Sequence, residues 1–321
     1  MSDEPATKLR WRLPLLLFVA TLLSTTIAGG PAFSATLMAI LVSHEMGHYL
    51  VARHYGVEAS LPHFIPMPPP FMLGTLGAVI TMQTDRARRN ALLDIGAAGP
   101  IAGFVVAVPL MILGITLSKV TTTGAFEGPI TFFGDSILTS AMVKVLRPDV
   151  GVGMDIEAHP VFIGAWAGFL VTAINLLPMG QLDGGHVLYA VFPDRAERWA
   201  RRTHRALIVL GCIGLLVHGP SIAYGLLEGI ADRGSWIPRA VLEGSQPLLR
   251  WTSYAFLVWA LMGKMTGLAH PPIADPHEPL LTSRRVVAVV CLIIGLLTFM
   301  PSPAWVEGIW KKPPTETHNN G

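Results

Sequence analysis

Apolar stretches near residues 13–29, 32–52, 92–117, 159–177, 204–226, 247–265 and 285–301 dominate the chain and leave no segment long enough for a water-soluble domain of ordinary size. Each approaches the roughly 19–20 residues that carry a helix across a bilayer. Lipid offers no partners to backbone N–H and C=O groups, so such stretches are confined to helices or a closed barrel, and runs of this length indicate helices. The expected fold class is therefore an all-α polytopic membrane protein with about six to seven transmembrane helices. Charge agrees, because only 14% of the 321 residues are charged, against about a quarter in soluble domains, and mean hydropathy is +0.52. A net charge of +2 with no contiguous basic patch excludes nucleic acid as a partner. Cys212 and Cys291 both lie in apolar runs and read as small hydrophobes.

The flanks orient the spans. About two-thirds of the 23 lysines and arginines fall in alternate segments, among them Arg53, Arg88 and Arg89 after the second span and Arg195, Arg198, Arg201, Arg202 and Arg205 before the fifth. That pattern predicts a cytoplasmic N-terminus. The run Leu13–Ile27 behind Lys8, Arg10 and Arg12 reads as a membrane helix rather than a cleaved signal, since no small-residue cleavage site follows and the next apolar run begins at once through Gly29-Gly30-Pro31. No repeat appears, so residues 1–321 are expected to form one membrane domain, with a core near 31–200 and further helices near 204–301. One segment departs from helix: "LPHFIPMPPPFMLGTLGAVITM", residues 61–82, is proline-rich and then alternates around Gly74 and Gly77, which predicts a short membrane-associated β segment near 64–82.

Within the second span stands "VSHEMGHYLV", residues 42–51. His44 and His48 are four apart, so on a helix both imidazoles leave the same face and can hold one metal ion, while Glu45 reaches a water beside it. Chance produces this pattern about 0.01 times in a chain with 11 histidines and this many glutamates. A glutamate inside a span with no lysine or arginine beside it costs at least about 2.5 kcal/mol, and a divalent cation offsets that cost. The bland alternative is a pair of satisfied core histidines beside a protonated glutamate.

A catalytic zinc site takes a third protein ligand. The candidate lies in "NLLPMGQLDGGH", residues 175–186, where Pro178 and Gly180 break the fourth span and Asp183 precedes Gly184-Gly185. The second and fourth spans run the same way, so Asp183 can lie at the depth of the histidines, or it is a plain turn residue. Asn175 can bind a substrate carbonyl or oxyanion, or tie two helices together.

These motifs together resemble the site-2 protease family of intramembrane zinc metalloproteases. "HEMGH" in an early span, "GTLGA" and "DIGAAGP" in the middle, and "NLLPMGQLDGGH" later carry the likeness over residues 35 to 200, closest to the prokaryotic and plastid branch. The resemblance implies a three-helix catalytic core, one Zn2+ held by His44, His48 and Asp183, and Glu45 as general base. It also implies substrate contacts from Asn175 and from the segment around Gly74, Thr75 and Gly77, with a transmembrane protein as substrate. There is no room for a PDZ domain after "GTLGA" or for a nucleotide-binding C-terminal module. A bacterial inner membrane is the expected location, with the active site towards the cytoplasm; homo-oligomerisation is open.

The rival class is a metal-binding membrane protein without hydrolysis, either a transporter or a degenerate protease acting as a chaperone. Glu45 argues against both, since neither needs a carboxylate aimed at water. A protease of prenylated proteins shares the two-histidine motif but calls for a downstream glutamate ligand, where "LDGG" supplies an aspartate. His186 is either outer support for the metal or a polar cap, and Asp94 reads as a carboxylate at a helix N-terminus. Gly96, Gly99, Ala102 and Gly103 suit close helix contact against the histidines. The run at residues 195–205 reads as a solvated basic face able to meet anionic lipid.

Overall fold

The computed structural model describes residues 11–68, 73–83, 87–122, 130–231 and 252–307. Helix α1 covers Arg12–His54 as one continuous assignment, yet Gly30 inside it has φ 84° and ψ 172°. A straight helix of 43 residues would be about 65 Å long, twice a bilayer's hydrocarbon core. It is not straight. Ser34 Oγ donates to the carbonyl of Leu22 at 3.2 Å and lies 2.7 Å from Thr25 Oγ1, whereas residues twelve apart on one helix are about 18 Å apart. The chain reverses at Gly30, where only glycine accepts the positive φ, and Pro31 restarts the helix where its missing N–H is not needed. The two arms, 12–29 and 31–54, are the first two apolar stretches of the sequence.

Helix α2, Arg89–Leu117, runs antiparallel to the second arm, with Ala98 against Gly47, Gly99 against His48 and Gly103 against His44. Helix α4, Pro160–Asn175, runs parallel to that arm: Gly164 faces Phe33 and Thr36, Gly168 faces Ile40, and Asn175 reaches His44. Phe33, Leu37, Ile40, Leu41, Met111, Ile115, Trp166 and Phe169 fill the space between the three. Lipid is as apolar as these side chains, so close packing and hydrogen bonds rather than water exclusion hold the core together, and small residues permit the approach.

Strands β1, His63–Pro66, and β2, Thr75–Val79, form an antiparallel hairpin with a register irregularity between Phe64 and Pro66. It lies along the first arm of α1, where Phe18 meets Phe64 edge-on and Ser24 Oγ donates to the Gly74 carbonyl at 2.7 Å. Residues 69–72, which belong to the proline-rich part of the expected β segment, are outside the described residues. At the far end of the core, the segment after α2 builds a small cap that hydropathy leaves blank. It comprises β3 (Lys119–Thr122), β4 (Ile130–Phe133), α3 (Ile137–Leu146) and β5 (Met154–Glu157). β3 pairs with β5, and Trp166 Nε1 donates to the Gly134 carbonyl, fastening the cap to α4.

Helices α5 (Asp183–Val191), α6 (Pro193–Ala231), α7 (Ala255–Met265) and α8 (Thr282–Thr298) follow, and β6 (Ala304–Glu307) pairs with β4. The stretch expected at 247–265 is helical over 255–265, and its first residues, 247–251, lie outside the described ones. Among the described residues, three helices are long and apolar enough to cross a membrane, in Arg12–His54, Arg89–Leu117 and Pro193–Pro220. Their outward faces carry exposed leucines such as Leu16, Leu23 and Leu216, as lipid contact requires. Asp94 is not at a helix start: it stands in the second turn of α2 and pairs with Arg284 at the start of α8, and the Tyr55 hydroxyl donates to the same carboxylate. A single carboxylate thus joins the ends of α1, α2 and α8.

Candidate metal centre

His44, Glu45 and His48 are buried on the second arm of α1, on the face covered by α2 and α4. The chain leaves α4 at Asn175, turns through Gly180 at φ 47°, and restarts as α5 with Asp183 in its first turn. Gly184 and Gly185 are packed so closely on the carbonyls of Leu176 and Gly180 that added side chains would collide with them. That tight reversal brings the Asp183 carboxylate back to the histidines. Asp183 Oδ2 lies 3.1 Å from His44 Nε2, Asp183 Oδ1 lies 3.3 Å from His48 Nε2, and the two Nε2 atoms are 3.2 Å apart.

These separations test whether a metal fits. Ligand bonds of about 2.0–2.1 Å in a tetrahedron place donor atoms about 3.3 Å apart, and the three measured gaps lie close to that value. The donor chemistry agrees, since two imidazoles and one carboxylate suit zinc and leave a fourth position open. Orientation is built in as well: His48 Nδ1 is 2.7 Å from the Ile95 carbonyl, so it carries the proton and Nε2 turns its lone pair inward. Among the described residues this is the group of histidine, cysteine or acidic side chains able to converge on one ion.

Glu45 sits within electrostatic reach of His44, His48 and Asp183. Asn175 Nδ2 is 3.2 Å from His44 Nε2. Gly99 explains the fit of α2, because a methyl group there would stand 2.0 Å from His48 Nε2. The sequence-derived ligands and Asn175 therefore meet, whereas Gly74, Thr75 and Gly77 belong to the hairpin. There the Thr75 hydroxyl donates to the Ile65 carbonyl and accepts from Gly77 N–H, so it holds the hairpin's own shape. His270 Nε2 is 2.7 Å from His186 Nδ1, and as a lone histidine in a loop it carries no sequence pattern that marks it.

Two buried histidines and a partly buried aspartate that converge beside a glutamate, set among helices long and apolar enough to cross a membrane, define a metallopeptidase-type membrane protein. The chain belongs to peptidase family M50, whose model matches residues 32–218. It is 30% identical over 241 residues to "Probable zinc metalloprotease EGY2, chloroplastic" of Oryza sativa subsp. indica, covering 75% of this chain and 43% of that protein. It is 33% identical over 202 residues to the protein of the same name from Arabidopsis thaliana (63% and 35%), and 32% identical over 227 residues to "Probable zinc metalloprotease EGY1, chloroplastic" of Oryza sativa subsp. japonica (64% and 37%). The chain thus spans about two-fifths of the length of these relatives. No solved structure matches it. The relatives' names are chloroplastic, so the bacterial inner membrane expected from the sequence has no support among them.

Proposed function

We propose that this chain is an intramembrane zinc metalloprotease that hydrolyses peptide bonds within or near the transmembrane helices of membrane proteins. One observation carries the proposal: three donor atoms from segments 135 or more residues apart converge at ligand spacing beside a buried glutamate. His44, His48 and Asp183 would hold zinc, which would supply a Lewis acid for the scissile carbonyl and a water of lowered pKa. Glu45 takes the proton of that water and passes it to the departing amine. A ligand histidine uses its single Nε2 lone pair on the metal, so the Asn175 amide, 3.2 Å from that atom, has a donor free for the substrate carbonyl. A transporter or a non-catalytic chaperone gives Glu45 no task, which is why that rival ranks second.

Peptide bonds inside a helix are already hydrogen-bonded, so a substrate span unwinds before cleavage. β2 is the strand packed less on α1, and Leu76 and Val79 on it are exposed; an unwound segment pairs there as an added strand. Val79→Pro is expected to slow cleavage of a membrane substrate at least tenfold with zinc content unchanged, and turnover equal to wild type would remove the pairing step. The fuller topology of six to seven spans, with the N-terminus and metal centre towards the cytoplasmic side, belongs to the same proposal, supported by the distribution of arginine and lysine.

Metal content of the detergent-purified protein tests the core of the proposal. About one zinc per chain is expected in the wild type, with a sharp loss in both His44→Ala and Asp183→Ala. Zinc retained after Asp183→Ala would displace the third ligand, and a metal-free wild type would end the metalloprotease assignment.

A further inference from the structure

The connector between α7 and α8, residues 266–281, lies beyond the stretch matched by the family model, yet it is fastened to the metal-bearing part of the fold at every turn. Gly267 packs its carbonyl against Gly180 in the turn before Asp183. Ala274 N–H donates to the Ala87 carbonyl, and Arg88 and Asp275 form a β-bridge. Arg89 Nη1 donates to the Glu278 carbonyl, the Asn90 amide donates to the Pro279 carbonyl, and Leu281 N–H donates back to Asn90 Oδ1. Ile273 is buried with Leu92, Leu93 and Ala190 between α2 and α5.

At the centre of this segment stands His270. Its Nδ1 is 2.6 Å from the Pro271 carbonyl, an acceptor only, so Nδ1 carries the proton. Burial lowers the His270 pKa below the usual histidine value, which keeps the ring neutral and leaves Nε2 as an acceptor. His186 Nδ1–H then donates to it at 2.7 Å. The Tyr189 ring stacks on His270, with centroids 4.3 Å apart and planes 17° apart, so the ring is held on its face as well as at both nitrogens. His186 is itself wedged: its Cβ and the Asp183 carbonyl oxygen press against Gly96 of α2, where a methyl group would stand 2.8 Å and 3.3 Å from them. His186 lies one helical turn after Asp183, on the short helix whose first turn presents that carboxylate.

We propose that His270 is a positioning residue for the metal centre: by accepting from His186 it fixes the rotation of α5 and so the aim of the Asp183 carboxylate. The inference rests on His44, His48 and Asp183 being metal ligands. It assigns a task to a segment outside the family-matched region, and it makes the third ligand, which sits on a nine-residue helix, depend on a chain segment that closes over it late in the sequence.

The test is zinc affinity of the full-length protein in detergent, by competition with a chromophoric chelator, beside the visible spectrum of the cobalt-substituted protein. Two variants separate positioning from packing. His270→Phe keeps the ring stacked on Tyr189 and removes the acceptor, whereas His270→Gln keeps an acceptor near Nε2. His270→Phe is expected to bind zinc about 10- to 100-fold more weakly, the range for loss of an outer hydrogen-bond partner, with an altered cobalt spectrum, and His270→Gln to stay within about threefold of wild type. Equal, wild-type affinity in both would overturn the inference. So would equal weakening in both with matching losses of thermal stability, which would mean packing alone. A wild-type protein that binds no zinc would instead fell the metalloprotease assignment on which the inference stands.

Discussion

Glu45→Gln is expected to leave about one zinc per chain while cutting turnover of a model transmembrane substrate about 10²–10⁴-fold, the share that a positioned acid–base group contributes. The substitution is nearly isosteric and Glu45 is buried beside His44 and His48, so ligand geometry should survive. The amide cannot accept and return the proton of the attacking water, so the acid–base share of the catalysis is lost. Zinc content and cleavage are measured on the same reconstituted preparation. Turnover above half of wild type would take the base role from Glu45, and a loss of zinc would show that the side chain supports the metal rather than the reaction.

Gly99→Ala should be nearly as damaging, and for a purely steric reason. The added methyl would lie 2.0, 2.4 and 2.5 Å from Nε2, Cδ2 and Cε1 of His48. His48 cannot swing aside freely, because its Nδ1–H is bound to the Ile95 carbonyl, one turn before Gly99 on α2. Either the imidazole turns and gives up that bond or α2 moves away from α1. Overpacking of this kind costs about 1–3 kcal/mol, and a displacement near 1 Å at a reacting centre costs about 100-fold. Zinc affinity is expected to fall about 10- to 100-fold. Gly103→Ala is the control: its methyl would meet His44 Cβ at 3.2 Å, a contact that a small shift relieves. If Gly99→Ala binds zinc as wild type does, the tight seating of His48 on α2 is not what holds the ligand.

The two histidines were legible because their relation is local: helical spacing puts residues four apart on one face whatever the rest of the chain does. The reversal between the first two spans was legible for a similar reason, since Gly29-Gly30-Pro31 interrupts an apolar run that is too long for one crossing. The hairpin showed through its prolines and alternating glycines. Asp183 was a candidate only because a helix break and a family motif coincided; its distance from His44 follows from α4 running parallel to the second arm of α1, which hydropathy suggests and packing decides. Asp94 was misplaced because its partners Tyr55 and Arg284 come from other segments. The cap after α2 escaped notice because strands of four residues are too short to show a period.

The sequence by itself determined that this is a membrane protein, where its main helices run, and that His44 and His48 share one helix face beside Glu45. Those properties follow from burial in lipid and from helical periodicity, both of which act over a few neighbouring residues. Only the tertiary structure decided that Gly99 must lack a side chain and that a late connector closes on α5 through His270 and His186. Such contacts join residues far apart in the chain, and their energies depend on shape and donor–acceptor direction that no local pattern encodes.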